Sequence, residues 1–269
     1  NAGGGCTNQA GNYSWGTAQF LLPHVIGSYT PVTGRVTDWN SVAAHTRLFI
    51  AFGGMPLRNT PITSGGAGDH PVSGQLERAR AAGVEFVVIS PTRRDIPAGL
   101  DARWIPIRPN TDAALMLAMM QALIADGMHD EAFLRTHCVG FDALRDYLEG
   151  KTDGVPKTPE WAQAICDVPA TVIRELARQA RDVRSMLTCA WSLQRAHRGE
   201  QPYWACIALA AALGHLGMPG GGVAFGHASM NGVGNPRMEI AGPALESGRN
   251  PTGSVIPVAR VTDMLLHPG

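Results

Sequence analysis

The chain of 269 residues is long enough to bury a substantial core, and its 45% hydrophobic and 16% charged residues are typical of a globular protein. Its formal net charge is zero. Because nucleic acids and anionic membrane surfaces usually select a basic face, neither is expected as a partner. The longest apolar run, ACIALAAALGHLG from Ala205, is too short to span a bilayer. It predicts a buried helix, and no membrane insertion is expected.

The five cysteines are scattered, odd in number and without a CxxC pair. This spacing argues against a zinc ribbon, an iron–sulfur cluster or a disulfide framework within the chain. Most of the cysteines are expected to be small buried side chains. Cys6 lies in a glycine-rich segment near Ser14, where contact with a ligand is the less favoured of its two interpretations.

The N-terminal run NAGGGCTNQAG is followed by NYSWGTAQ and by a helix predicted from Thr17 towards Val25. Ser14 has two interpretations at this place. The first, favoured by the local sequence, is an N-cap that accepts a hydrogen bond from the first helical turn. The second is a ligand or a nucleophile. The chain begins without methionine or a signal-peptide pattern, and it is interpreted as a piece of a longer protein.

Strands and helices then alternate along the chain. Buried strands are predicted for RLFIAFGG, from Arg47 to Gly54, for VEFVVISP, and for the shorter RWIPIRP. Helices are predicted for QLERARAAG, which ends at Gly83, and for residues 111–125, with Thr111 as the cap and a wide apolar stripe. Four further segments between residues 131 and 180 have helical spacing.

The last part of the chain begins with SMLTCAWS, a predicted buried strand, and a helix around residues 203–216. From Pro219 onward, PGGGVAFGHASMNGVGNP is predicted to be a ligand-binding loop rather than core. The alternation of strands and helices predicts an α/β fold with mostly parallel, Rossmann-like sheets and flanking helices.

Polar or glycine-rich tails follow three of the predicted strands: GGMPLRN, SPTRRD and SLQRAHRGEQ. Ligands of parallel sheets bind outside the carboxyl ends of the strands, where glycines allow a phosphate to approach the backbone. A nicotinamide dinucleotide fits poorly, because no GxGxxG opens a helix after the first strand and no acidic residue ends the second. Asp112 has two open interpretations: an acceptor for the amino and imino groups of guanine, or a charge that stabilises the first helical turn.

Several motifs, taken together, resemble the molybdopterin oxidoreductases of the dimethyl sulfoxide reductase family. They are NYSWGTAQ with LPHVIG, FGGMPLRNT, IPIRPNTDAALMLAM, WSLQRAHRGEQ with LGMPGGG, and MNGVGNP. They occur in order along nearly the whole chain, and FGGMPLRNT and NGVGNPR are most similar to the biotin sulfoxide reductases of that family. Family members are considerably longer, so the chain resembles their central part.

The resemblance implies three segments. Residues 1–45 would carry the metal-ligand loop and lead into the α/β domain. Residues 46–185 would form an α/β dinucleotide-binding domain with a helical insert. Residues 186–269 would contribute a strand–helix segment and a glycine-rich loop to the neighbouring cofactor-binding domain.

The resemblance also implies a molybdenum-dependent oxidoreductase that reduces an S-oxide or N-oxide, such as biotin sulfoxide, dimethyl sulfoxide or trimethylamine N-oxide, by oxygen-atom transfer. The cofactor would be bis(molybdopterin guanine dinucleotide), with the alkoxide of Ser14 as a hard oxygen ligand of molybdenum. A serine hydrolase is rejected because GxSxG is absent. A metal-free nucleotide-dependent dehydrogenase and a non-catalytic nucleotide-binding fragment stay as alternatives.

The isolated fragment is expected to be inactive, and the sequence does not identify the electron donor. The expected compartment is the cytoplasm, or the periplasm if a preceding segment carries a twin-arginine leader.

Individual residues are assigned roles by the same resemblance. Beside Ser14, Trp15 and Arg195 would polarise the substrate oxygen. The cofactor-binding residues would be Gly53, Gly54, Met55, Arg58 and Asn59 in the first loop; Ser90, Pro91 and Arg93 after the second strand; Asn110 and Asp112 on the guanine side; Trp191, Ser192, Gln194 and His197 near the pterin and the metal; and Gly221, Gly222, His227 and Asn231 in the glycine-rich loop.

Overall fold

The computed structural model describes residues 14–33, 36–61, 69–235, 256 and 260–267. Within these ranges the chain forms a parallel sheet of five strands in the spatial order β3-β2-β1-β4-β5. The strands are β1 (Leu48–Phe52), β2 (Glu85–Ile89), β3 (Ala102–Ile105), β4 (Ser185–Cys189) and β5 (Gly222–Phe225). This strand order is that of a Rossmann-like sheet, and it confirms the predicted α/β fold.

Helices flank the sheet, and they are numbered in chain order. They are α1 (Gly16–Ile26), α2 (Thr30–Thr33), α3 (Trp39–His45), α4 (Val72–Ala81), α5 (Asp112–Ala125), α6 (Glu131–His137), α7 (Phe141–Leu148), α8 (Pro159–Cys166), α9 (Ala170–Asp182), α10 (Glu200–Leu213) and α11 (Val261–Leu266). No helix in the described ranges is long and apolar enough to cross a membrane.

Strand β1 shows why its sequence, LFIAF, is apolar without interruption. Successive side chains of a strand point to opposite faces of the sheet. Leu48, Ile50 and Phe52 belong to the core cluster that contains residues of α1, α5, α9 and α10, whereas Phe49 and Ala51 belong to the cluster with residues of α3 and α4. Both faces are therefore covered, as is typical of parallel sheets.

Helix α5 differs from the predicted amphipathic helix in two respects. Its buried residues are not confined to a stripe, because the helix contacts α8, α9 and α10 as well as the core below the sheet. Thr111 does occupy the N-cap position, but its side chain caps no helix amide. Its hydroxyl instead donates to the carbonyl of Arg108 at 2.6 Å.

The prediction of a loop after Pro219 was wrong for residues 222–225. These residues, GVAF, form the buried strand β5, which pairs with β4 from Met186 to Cys189. The run is short, begins with glycine and is followed by Gly226, and it therefore looks like part of a loop. Because β4 and β5 extend the same sheet as β1, β2 and β3, the boundary expected between residues 185 and 186 does not coincide with the edge of a sheet.

The other predicted elements agree with the structure to within a few residues. They include the helix after Ser14, the strands β1, β2 and β3, the four helices between residues 131 and 180, and the buried helix that contains Ala205. Cys166, Cys189 and Cys206 are buried free thiols, as expected for most of the cysteines. Cys6 lies outside the described residues.

Candidate functional site at the carboxyl ends of the strands

The three polar tails lie side by side at one edge of the sheet, because they follow the neighbouring strands β2, β1 and β4. Hydrogen bonds join the tails where they leave the sheet. The Gly53 amide donates to the Ile89 carbonyl at 2.9 Å, and the Ala190 amide donates to the Phe52 carbonyl at 2.8 Å. The chain passes from β1 towards β2 on one side and from β4 towards β5 on the other, so this edge contains the switch point where open α/β sheets bind ligands.

Two glycines allow the tails to pack closely. Gly53 and Gly54 have φ angles of +86° and +84°, which side chains rarely adopt. A Cβ atom on Gly53 would lie 2.9 Å from the Cβ of Ala190, and one on Gly54 would lie 2.5 Å from the Cβ of Asp95. The space beside both glycines is thus filled by the neighbouring tails. Met55 follows them with a fully buried side chain.

Asp95, a residue that the sequence analysis missed, connects the tails of β1 and β2. One carboxylate oxygen accepts from the Ser90 hydroxyl at 2.6 Å, and the other accepts from the Arg58 guanidinium at 2.6 Å. The side chain of Ser90, predicted to face the cofactor, is therefore engaged within the protein, and Arg58 is tied to the same carboxylate. The sequence feature that could have identified Asp95 is its position as the one acidic residue of SPTRRD, which is otherwise neutral or basic.

The remaining predicted residues of these two tails lie at the surface or close to it. Pro91 and Arg93 are exposed, and Asn59 is half-buried. Ser192 and His197, in the tail of β4, are exposed as well.

The turn that contains Ser14 lies against the tail of β4. The indole rings of Trp15 and Trp191 stack with 5.7 Å between their centroids and 17° between their planes. The carbonyl of Ser14 accepts hydrogen bonds from the side-chain amide of Gln194 and, at 3.5 Å, from the guanidinium of Arg195. The structure therefore brings together five of the residues predicted to lie near the metal.

Ser14 does not cap the helix that follows it. Helix α1 begins at Gly16, and Trp15 occupies the N-cap position without a capping hydrogen bond from its side chain. The interpretation of Ser14 as the N-cap residue is thus wrong, and its alternative role as a ligand stays a prediction.

Gly226 is a second residue that the sequence analysis missed. It follows β5 with a φ angle of +94°, and a Cβ atom there would lie 2.2 Å from Nε1 of Trp191. The indole of Trp191 therefore packs between Trp15 and the backbone of Gly226. Its Nε1 is buried and has no hydrogen-bond partner among the described residues. A repeat in the sequence could have identified Gly226, because Ala-Phe at the end of β1 and of β5 is followed in both cases by glycine.

Asp112 is a buried carboxylate at the start of α5, with a side chain that is only 3% exposed. Its Oδ1 has no hydrogen-bond partner in the described part of the chain. Burial raises the pKa of Asp112 to about 6, although its own backbone amide acts in the opposite direction. Asn110, two residues earlier, is exposed and has a φ angle of 63°.

The charge of Asp112 affects the pKa of a residue at the carboxyl end of β4. Burial raises the pKa of the Cys189 thiol well above its usual value, and the neighbouring thiol of Cys206 and the charge of Asp112 raise it further. Cys189 is the last residue of β4. Asp112 therefore acts electrostatically on the last residue of β4, although the two residues are distant in sequence.

The four residues predicted in the glycine-rich loop have packing partners elsewhere. Gly221 and Gly222 lie at the amino end of β5, opposite the candidate site, where Cβ atoms would approach Arg184, His215 and Leu216. The side-chain amide of Asn231 donates to the carbonyl of Asp69.

His227 belongs to an aromatic cluster with Trp39 and Phe49, at centroid distances of 5.0 and 5.5 Å. Its Nε2 is 2.9 Å from the carbonyl of Thr37. Burial lowers the pKa of His227 to about 4. The ring is therefore neutral at pH 7 and donates to that carbonyl.

The comparisons with known proteins agree with this architecture. A family model described as molybdopterin oxidoreductase matches residues 2–261. The chain belongs to this family. Membership confirms the resemblance seen in the motifs, and it implies a molybdopterin cofactor that carries molybdenum.

Three relatives illustrate the similarity. The chain is 42% identical to the biotin sulfoxide reductase of Cereibacter sphaeroides, over 99% of this chain and 36% of that protein. It is 39% identical to the dimethyl sulfoxide/trimethylamine N-oxide reductase of Rhodobacter capsulatus, over 99% and 33%. It is 36% identical to the trimethylamine-N-oxide reductase of Haemophilus influenzae, over 100% and 34%. The chain thus spans about a third of the length of the curated relatives that it matches.

A solved structure, the acetylene hydratase from Pelobacter acetylenicus, is similar in fold, with a TM-score of 0.51 and 21% sequence identity. The match covers 66% of this chain and 25% of that one.

The chemistry of the edge fits a molybdopterin cofactor. Ser14 contributes a hard oxygen donor, Trp191 an N–H group and Asp112 a carboxylate oxygen, and the latter two are buried without partners among the described residues. No group of three or more His, Cys, Asp or Glu side chains in the described ranges is arranged to bind a metal ion.

Proposed function

We propose that this chain is a cofactor-holding part of a molybdenum enzyme that reduces an S-oxide or N-oxide by oxygen-atom transfer, with bis(molybdopterin guanine dinucleotide) as the cofactor. The observation that carries the proposal is the position of the Ser14 turn, which lies against the carboxyl end of β4 at the switch point of the sheet. The relatives, which are named as biotin sulfoxide, dimethyl sulfoxide and trimethylamine N-oxide reductases, support the reaction class.

Each residue of the carboxyl edge would contact a different part of the cofactor or shield such a contact. Ser14 would provide the protein's oxygen ligand for molybdenum. Asp112, whose buried Oδ1 has no partner among the described residues, would accept from the amino and imino groups of a guanine. Trp191 would donate its indole N–H to the cofactor, and the stacked ring of Trp15 would exclude water from that contact.

Arg195 is exposed next to Ser14 and would polarise the oxygen of the bound substrate. A fixed cation that faces developing negative charge stabilises it most in a site from which water is excluded. When bound, the cofactor supplies the two-electron chemistry, while the chain supplies ligation, orientation and electrostatics. Among the substrates considered, an S-oxide similar to biotin sulfoxide is our first choice, because the biotin sulfoxide reductase shares 42% identity with this chain.

A nicotinamide-dependent dehydrogenase is disfavoured by the segment that follows β1. In dinucleotide-binding folds, the first strand leads into a helix whose N-terminus binds the pyrophosphate. Here Gly53 and Gly54 lead into a single 3₁₀ turn, Leu57–Asn59, within residues 53–61.

The test uses the complete gene product, purified from a host that supplies the cofactor. Molybdenum is measured by mass spectrometry, and the reduction of biotin sulfoxide, dimethyl sulfoxide and trimethylamine N-oxide is assayed with a reduced viologen dye. We expect bound molybdenum and turnover of at least one oxide. A protein without molybdenum that binds NADH would contradict the proposal. The 269-residue chain alone serves as the control, and we expect it to fold without turnover.

A further inference from the structure

Gln194 lies at the end of a 3₁₀ turn, Trp191–Gln194, that follows β4, and it is only 5% exposed. Both ends of its side-chain amide bind the backbone of the Ser14 turn. Its Oε1 accepts from the Ala18 amide at 3.2 Å, and its Nε2 donates to the Ser14 carbonyl. A backbone amide can only donate and a carbonyl can only accept, so these two partners fix the orientation of the Gln194 amide.

The place of Gln194 is itself determined by close packing. A Cβ atom on Gly199 would lie 1.9 Å from the carbonyl oxygen of Gln194, so the chain can return past this residue only with glycine at position 199. On the other side of the turn, Leu193 fills the space beside Gly53, at the end of β1. The 3₁₀ turn is therefore held between the tail of β1 and the start of α10.

From these contacts we infer that Gln194 is the positioning residue of Ser14. It bridges the carbonyl of Ser14 and an amide in the first turn of α1, and it thereby fixes the backbone that carries the Ser14 side chain relative to β4. The bridge uses one N–H group and one oxygen lone pair of the Gln194 amide, so it leaves room for the direct cofactor contact expected from the resemblance. The inference rests on the proposed function of Ser14 as a metal ligand.

The contact requires both a donor and an acceptor at the reach of a glutamine. Methionine has a similar length and removes both groups, whereas glutamate keeps the acceptor for Ala18 and places a second oxygen against the carbonyl of Ser14. Gln201, which is exposed in the first turn of α10, is the matched control for the same substitutions.

The first experiment needs no cofactor. Hydrogen exchange of peptides that cover residues 14–22 is measured in the cofactor-free protein and in its Q194M, Q194E and Q201M variants. Q194M loses both bridging hydrogen bonds and Q194E loses the one to the Ser14 carbonyl, and each loss is expected to accelerate exchange about 2- to 10-fold. Q201M should match the unsubstituted protein. Unchanged exchange in both Gln194 variants would overturn the inference.

The second experiment uses the complete, cofactor-loaded enzyme. Changes to residues that orient a metal ligand typically cost 10- to 100-fold, and we expect such a loss in kcat for Q194M, with molybdenum content retained. The electron paramagnetic resonance signal of the half-reduced metal should change as well, because the position of the Ser14 oxygen changes. Q201M should alter neither measurement.

Two further outcomes separate the possibilities. Faster exchange with an unchanged resonance signal would show a tether that does not position the ligand, and would overturn the inference. An unsubstituted enzyme without molybdenum would overturn the proposed function and the role of Ser14 with it, while the exchange data would still show whether Gln194 holds the turn. G199A, which displaces Gln194 without altering its amide, should reproduce the effects of Q194M.

Discussion

The amino and carboxyl edges of the sheet differ in whether their polar groups have partners within the protein. The amino ends of β2 and β3, together with α9, border an open groove of about 1080 Å³. Its charged residues neutralise one another: Arg103 pairs with Glu175 at 2.9 Å, and Arg80 lies 3.9 Å from Asp101. At the carboxyl edge, by contrast, Oδ1 of Asp112 and Nε1 of Trp191 are buried and have no partner among the described residues.

This difference has an energetic basis. An exposed ion pair contributes only about 0–1 kcal/mol, so the groove can hold its charges at little cost. A buried polar group without a partner costs about 1–3 kcal/mol, and a folded protein tolerates that cost where a ligand provides the missing hydrogen bond. Buried polar atoms without partners also occur elsewhere in the described chain, among them Nε1 of Trp39 and Nδ1 of His129. Those at Asp112 and Trp191 therefore support the candidate site together with the switch point of the sheet, where ligands of such folds bind.

The largest effect is expected for Ser14→Ala in the complete enzyme. Changes to residues that only orient a metal ligand cost about 10- to 100-fold, so loss of the ligand itself should reduce turnover of the S-oxide by more than about 100-fold. The fold should be retained, because helix α1 begins at Gly16 with Trp15 rather than Ser14 at its N-cap position. Viologen-linked turnover and molybdenum content check this expectation, with Ser73→Ala, an exposed serine on α4, as the control. Normal turnover with molybdenum bound would rule out the assignment of Ser14.

The two ends of β5 offer a matched pair of substitutions, Gly226→Ala and Gly222→Ala. Both glycines have positive φ angles, +94° and +89°, so alanine should cost about 1–2 kcal/mol at each through backbone strain. At Gly226 the new Cβ would also lie 2.2 Å from Trp191, whereas the nearest atom to it at Gly222 is 3.2 Å away. We expect a total loss of about 2–4 kcal/mol for Gly226→Ala. The free energy of unfolding of both variants is measured with a denaturant. Equal losses of stability in the two variants would show that Trp191 can move away from the new Cβ atom.

Asp112 makes stability depend on pH. The folded-state pKa is about 6, compared with 3.8 for an unperturbed carboxyl, so the folded protein binds the proton more tightly than the unfolded chain between these values. Stability in the absence of cofactor should therefore fall by about 3 kcal/mol as pH rises from about 4 to 6, and then remain constant. Asp112→Asn should remove this fall and make the cofactor-free protein more stable than the unsubstituted one at pH 7.

The same substitution distinguishes the two interpretations of Asp112. If the carboxylate accepts from guanine, Asp112→Asn should weaken cofactor retention by about 1.5–3 kcal/mol at pH 7, while the melting temperature of the cofactor-free protein rises. If the charge mainly stabilises the first turn of α5, the variant should melt lower at pH 7 and retain its cofactor. Thermal unfolding at pH 4 and pH 7, together with molybdenum analysis, separates these outcomes.

The sequence allowed the framework of the site to be predicted, because strand composition and the polar tails after each strand are local signals. It placed the tails of β1, β2 and β4 at strand ends, and the parallel sheet brings them to one edge. It could not show how the tails contact one another. Asp95 bridges Ser90 and Arg58 across two loops, and Gly226 contacts Trp191 across two strands, so both roles depend on packing between distant segments.

The misassigned segment has a similar explanation. A strand of four residues between glycines, GVAF, carries too little periodicity to be distinguished from a loop. Its neighbour β4 supplies the hydrogen bonds that define it, and that pairing is not visible in the local sequence. His227, predicted to contact the cofactor, lies against the aromatic rings of Trp39 and Phe49 in the fold. These neighbours are distant in sequence, and the cofactor contact stays a prediction.

The smallest effect is expected at the amino edge, for Arg103→Ala. The side chains of Arg103 and Glu175 are 36% and 62% exposed, so their ion pair should contribute no more than about 1 kcal/mol to stability. Asp95→Asn gives the comparison at the carboxyl edge, since it weakens a pair whose carboxylate is only 13% exposed and also accepts from Ser90. We expect that variant to lose about 1.5–3 kcal/mol, because hydrogen bonds to charged groups are worth that much. Denaturant unfolding and molybdenum content are measured for both variants, and Arg103→Ala should leave the metal content unchanged. A loss of molybdenum from Arg103→Ala would connect the groove to the cofactor site and break the distinction between the two edges.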